Sequence, residues 1–100
     1  MQTVKSFSRA VLEGCVATNP AVHESEQEVL YVANGEGRVE SEGVVEGLSE
    51  GSAVLIPPRV PHVVVNESNE PLEFLILTEE VPPEAMDKAK GEILVRNYHS

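Results

Sequence analysis

In this chain of 100 residues, His23, Glu28 and His62 have the side chains suited to metal ligation or acid–base chemistry. An imidazole nitrogen and a carboxylate oxygen each offer a lone pair and a titratable proton. None of the three is diagnostic alone. A single histidine in a β protein is commonly structural, and Glu28 continues a run with Glu24 and Glu26 that reads equally well as a solvated face. Glu28 and His62 differ in that each opens a markedly apolar segment, Val29-Leu30-Tyr31-Val32 and Val63-Val64-Val65. An uncompensated charge or imidazole is costly there, so both invite a partner. Counting by two, Leu30 and Val32 share a face with Glu28, and Val64 shares one with His62, so each polar group ends an apolar row. A ligand would then sit at the open mouth of a barrel.

The elements that must position these groups are short and rich in valine. Runs at residues 9–18, 28–33, 37–41, 43–48, 52–56, 62–66 and 72–78 are separated by turn residues, the spacing of an all-β sandwich or barrel. Asn34-Gly35, Glu42-Gly43, Glu50-Gly51 and the polar stretch 66–71 are the reversals, which predicts consecutive strands as antiparallel neighbours. Several runs are apolar on both faces, so something must cover the outer side, and a homodimer is the economical answer. The charged run 37–42 reads as a solvated edge strand. Pro82-Pro83, early acids, late lysines and Gly91 predict one short helix over 83–90, followed by a strand-like arm.

Composition bounds the partners. There are 17 acidic against 7 basic side chains, a net charge of −10, with no basic stripe to attract a polyanion. Nucleic acid is excluded on that ground. No apolar run approaches the ~18 residues a bilayer requires, so no membrane partner is expected and the cytoplasm is the expected compartment. One domain over residues 1–100 fits the length. Cys15 is the one cysteine, so no disulfide framework exists, and its expected role is packing as a small apolar side chain, with nucleophilic chemistry second.

Two segments, about 15–35 and 51–66, resemble the paired motifs of the cupin superfamily. The first motif of that family runs His-x-His, a short spacer, glutamate, six residues and glycine. Here His23, Glu28 and Gly35 fall at those positions, with Ala21 in place of the first histidine. In the second, Gly51, Pro57, His62 and Asn66 match in register, and Arg59 stands where the family has an inner glycine. The motif also has a physical account: the prolines stiffen the loop that presents His62, and the Asn66 amide can close the following turn. His23 and Glu28 are five apart, which requires a bend around residues 25–27 that the resemblance supplies and periodicity does not.

The resemblance implies a double-stranded β-helix, or jelly-roll, barrel with one short C-terminal helix. It also implies a mononuclear site for Fe, Mn, Ni, Cu or Zn on His23, Glu28 and His62, three of the family's four ligands. Two classes of function follow. As an enzyme, the barrel would act on a small molecule in dioxygenase-like or isomerase-like chemistry, with Glu28 ligating or acting as a base. As a binding module it would hold a sugar or acid without turnover. Arg59 either meets an anionic substrate at the mouth or balances nearby glutamates in solvent. Tyr98 and His99, on the C-terminal arm, have no fixed place in the site.

Overall fold

Alternation of branched aliphatic residues with polar ones, interrupted by glycine turns, gives a fold made of strands. The computed structural model describes residues 3–18, 22–82 and 93–97. Among these are β1 (Thr3–Leu12), β2 (Val16–Ala17), β3 (Glu26–Asn34), β4 (Gly37–Ser41), β5 (Val44–Leu48), β6 (Ser52–Ile56), β7 (Val63–Asn66), β8 (Leu72–Glu80) and β9 (Leu94–Asn97). They form a five-stranded sheet, β1-β8-β3-β6-β9, and a four-stranded sheet, β2-β7-β4-β5. Every pairing is antiparallel. Inward residues at period two, among them Leu30, Val32, Val39, Val54, Ile56, Val64, Leu72 and Phe74, fill the space between the sheets.

The all-β jelly-roll expectation holds, with corrections to its connectivity. Of the four predicted reversals, only Glu42-Gly43 closes a hairpin, β4 with β5. The turns at Asn34-Gly35, at Glu50-Gly51 and across 66–71 instead carry the chain from one sheet to the other. Gly35 shows why such a crossing is specified: its φ is +95°, and a Cβ there would lie 2.6 Å from the Pro71 carbonyl oxygen.

The run 9–18 is not one strand. It breaks at Gly14-Cys15, where Cys15 takes φ 64° and its N–H donates to the Ser68 carbonyl at 3.0 Å. Cys15 is exposed rather than packed, its Sγ 3.6 Å from the Ser68 carbonyl oxygen and from Asn69 Oδ1. Nor is β4 an edge: it lies between β7 and β5. Its charges are tolerated because Arg38 on the outer face pairs with Glu40 and Glu67, while Val39 and Ser41 point inward.

The predicted helix over 83–90 lies outside the described residues, as do Ala21, Tyr98 and His99. The C-terminal arm packs on its own sheet, with β9 against β6. Among the described residues no helix is long and apolar enough to cross a membrane.

Candidate functional site

Glu28 enters from β3, flanked in register by Ile56 of β6 and Thr78 of β8. Its carboxylate therefore stands at the end of the inward row that continues with Leu30 and Val32. His62 precedes β7 on a loop stiffened by Pro57, Pro58 and Pro61. The Ser41 hydroxyl donates to the Pro61 carbonyl at 2.6 Å, pinning that loop to β4. His23 lies just before β3, and a bend at Glu24-Ser25 turns it back toward Glu28. The bend comes slightly earlier than the expected 25–27: Ser25 is in it, while Glu26 and Gln27 already belong to β3.

The three side chains converge. His23 Nε2 is 3.4 Å from Glu28 Oε2, and His62 Nε2 is 3.5 Å from Glu28 Oε1, so each imidazole faces its own carboxylate oxygen. His23 Nδ1 is 3.6 Å from Glu26 Oε1, and the two rings lie 6.3 Å apart between centroids. His62 Nδ1–H donates to the Val60 carbonyl at 3.2 Å, a bond that fixes the ring and directs Nε2 at Glu28. In the neutral imidazole that Nε2 carries a lone pair, and two lone pairs facing each other favour a cation between them, whether proton or metal ion.

The electrostatics agree with that reading. The His62 hydrogen bond, helped by the charges of His23 and His62, lowers the Glu28 pKa despite burial. Burial works against charge on His62, but the Glu28 carboxylate and the Val60 carbonyl outweigh it and raise the imidazole pKa. Among the described residues, no three His, Cys, Asp or Glu side chains already stand as a metal-binding group. The donors ring the carboxylate rather than a common point. In chemical type, two imidazole nitrogens and one carboxylate fit a transition ion and leave coordination positions open.

These groups floor a cleft of about 220 Å³ whose walls are Leu30, Val64, Phe74 and Ile76, with Thr18 at the rim. Thr18 had no sequence signal. It is held by reciprocal contacts with Val64, whose N–H donates to Thr18 Oγ1 at 2.9 Å and whose carbonyl accepts from the Thr18 N–H at 2.9 Å. Phe74 and Ile76 lie in the run 72–78 that was read as a strand, but which of its faces turns inward was shown only by the structure. Arg59 is exposed on the His62 loop, and its main-chain N–H donates to the His23 carbonyl at 2.6 Å, tying the two histidine segments together. Its φ of 65° accounts for a glycine in the family motif at that position. A second cleft, about 260 Å³, borders the other side of His62 and includes Glu40 and Glu42.

Comparison with known proteins bears on the fold and the family. A predicted oxalate decarboxylase of Thermotoga maritima superposes with a TM-score of 0.74 at 25% identity, over 79% of this chain and 69% of that one. A cupin 2 conserved barrel domain protein of Salinispora arenicola gives a TM-score of 0.69 at 23% identity, over 82% of this chain and 66% of that one. The uncharacterized protein MJ1618 of Methanocaldococcus jannaschii is 30% identical over 53 residues, which span 53% of this chain but only 42% of that relative. Residues 10–78, from the end of β1 into β8 and including both motifs and the cleft residues between them, match the Cupin_2 family model, the cupin domain, and the chain belongs to the cupin family.

Proposed function

We propose that the cleft is a small-molecule site built on a mononuclear divalent metal, Fe, Mn, Ni, Cu or Zn, held by His23, Glu28 and His62, and that the protein is a metal-dependent enzyme of dioxygenase-like or isomerase-like type. The observation that carries this reading is the approach of two imidazole Nε2 atoms, at 3.4 and 3.5 Å, to the two oxygens of one carboxylate. When bound, the metal would supply a Lewis acid for an oxygen of the substrate. The chain's own contributions are separate. The Val60 carbonyl keeps the His62 proton on Nδ1. A Glu28 oxygen not engaged by the ion would take or return a substrate proton.

The apolar walls exclude water from one side of the ligand. At about 220 Å³ the cleft is smaller than the ~300–1,000 Å³ typical of drug-sized ligands, which favours a small acid or a sugar fragment. The likeness to a predicted oxalate decarboxylase points the same way. Arg59, on the adjoining loop, is the candidate cation for an acidic substrate.

The second reading is a binding module without metal, in which the Glu28–His62 contact is an internal ion pair and the cleft holds a ligand without turnover. It is favoured by the absence of a ready three-donor metal group among the described residues. Untagged protein reconstituted with each ion and analysed for metal, beside His62→Ala, separates the two. About one equivalent in the wild type and a clear loss in the variant supports the metal centre. Less than ~0.1 equivalent, with no difference between the proteins, refutes it. Metal uptake without oxygen consumption or isomerisation across small acids and sugars would leave a metal-bearing binding module.

A further inference from the structure

The cleft has two unlike ends. Strand pairing sets out its inner face in three rows: Glu28 beside Thr78, then Leu30 beside Ile76, then Val32, Phe74 and Ala10. Successive rows are about 7 Å apart along a strand, so Ala10 and Phe74 lie about 14 Å from the row of the carboxylate. At the Glu28 end stand the two imidazoles. The Arg59 loop belongs to this end as well, since its N–H donates to the His23 carbonyl at 2.6 Å. At the far end the wall is hydrocarbon.

That wall is the core itself. Leu30, Val64 and Phe74 are buried, and Ala10 and Ile76 pack against them. The Thr18 hydroxyl at the rim is already engaged: it accepts from the Val64 N–H at 2.9 Å and faces the Val64 carbonyl at 3.4 Å. Among the described residues that line the cleft there is no lysine, arginine, asparagine or glutamine, and Ala10 has the smallest side chain.

We propose that the ligand of this cleft is a monocarboxylic acid with a small hydrocarbon body, its carboxylate at the His23–Glu28–His62 end and its body against Ile76, Phe74 and Ala10. The proposal rests on the reading of the cleft as the small-molecule site and chooses among the ligands that reading allows. A sugar carries a hydroxyl on nearly every carbon. Each one set against Leu30, Val64 or Phe74 would give up its water partners for nothing. A dicarboxylic acid long enough to fill the cleft would press its second charge against Phe74, where no cation among the lining residues answers it. A hydrocarbon body meets neither cost. The space of about 220 Å³ is worth about seven waters at ~30 Å³ each, which suits a body of about four to six carbons. Ala10 sets the length accepted, because any larger side chain there would take up the far end of the cleft.

Calorimetric titration of the full chain, metal-free and metal-reconstituted, with acetate, hexanoate, octanoate, succinate and xylose tests it, beside Ala10→Leu. Each methylene fully buried is worth about fourfold in affinity, so hexanoate, partly buried, should bind about 50-fold tighter than acetate. Succinate and xylose should show no such gain. The gain should stop at the end of the cleft, leaving octanoate no tighter than hexanoate, a result that needs no variant to fold. Ala10→Leu should weaken hexanoate about 10-fold more than acetate. Several results overturn the inference: no binding of hexanoate to either form, hexanoate no tighter than acetate, a gain that continues to octanoate or survives Ala10→Leu, or xylose or succinate binding as tightly as hexanoate. Metal analysis of the same samples reports separately on the centre. A chain-length gain without metal leaves the inference standing and removes the metal-dependent reading, while metal uptake without the gain does the reverse.

Discussion

Replacing Asn66 with alanine should remove more stability than any substitution of similar size on the surface. The side chain is fully buried, with 0% of its surface exposed. Its Nδ2 has two hydrogens and lies 3.0, 3.2 and 2.7 Å from the carbonyls of Leu12, Glu13 and Glu70, so two are served directly and one is shared. Its Oδ1 accepts the Ser68 N–H at 3.0 Å and the Ser68 hydroxyl at 2.8 Å. One amide thus joins the end of β1, the end of β7 and the loop before β8. Each neutral hydrogen bond is worth about 1 kcal/mol net, and a carbonyl left buried without a donor costs a further 1–3 kcal/mol. Partial relaxation and water entry bring the sum to about 3–5 kcal/mol, a large share of the ~5–15 kcal/mol that holds a domain folded.

Urea unfolding should show that loss with an unchanged denaturant slope, and the melting temperature should fall by about 15–25 °C. Asn66→Asp should be at least as damaging at neutral pH, because a carboxylate sets lone pairs against three carbonyl oxygens. A loss below about 1 kcal/mol for Asn66→Ala, or an aspartate variant as stable as the wild type, would refute the argument that this amide is the clamp.

The metal-free Glu28–His62 pair should leave a signature in pH. The lowered Glu28 pKa gives a contribution present above the ordinary 4.5 and lost as pH falls through the folded-state value. The raised His62 pKa gives one fully present below 6.5 and lost as pH rises through its folded-state value. The stability difference between wild type and Glu28→Gln should therefore peak between these two values, at about 1–2 kcal/mol after discounting for solvent screening. A difference that grows steadily toward alkaline pH in urea titrations would count against the pair. Glycine substitutions separate crowding from backbone conformation. Gly35→Ala should cost more than ~3 kcal/mol, since its Cβ meets the Pro71 carbonyl oxygen at 2.6 Å. Gly43→Ala, with φ +85° but nothing within 4 Å, should cost only about 1–2 kcal/mol by the same measurement.

Counting by two from Glu28 and His62 was enough to place part of the core: Leu30, Val32 and Val64 are buried as that count implies, and Glu28 and His62 do end their apolar rows. The run 53–56 is apolar on both faces, so alternation alone did not single out the buried Val54 and Ile56. Pairing partners were not legible, because strand propensity says how a segment is shaped and nothing about which distant segment it meets. Asn34-Gly35 has the residues of a tight hairpin, yet serves a crossing between sheets. Residues 37–42 looked like an edge because sequence cannot show that β7 pairs alongside β4 and that Arg38 finds Glu67, just past the end of β7. In the site, residue types and strand faces were visible, while the convergence on one carboxylate rested on the motif resemblance. The tie between Arg59 and the His23 carbonyl is a main-chain contact that no side-chain pattern announces.

The same connectivity governs how the molecule is made. Among the described strands, β4 and β5 alone are neighbours both in sequence and in a sheet. Leu12 of β1 meets Leu72 of β8, 60 residues later in the chain. At ribosomal rates of ~5–20 residues per second, β1 waits about 3–12 s for β8, its strand partner among the described residues, with the core-packing side chain of Leu12 uncovered meanwhile. Refolding of the finished chain should fall in the slow, millisecond-to-second range of strongly non-local β folds. Nascent chains should be most vulnerable to aggregation before β8 emerges, and among the described residues the β4–β5 hairpin is the local seed from which the sheets can grow.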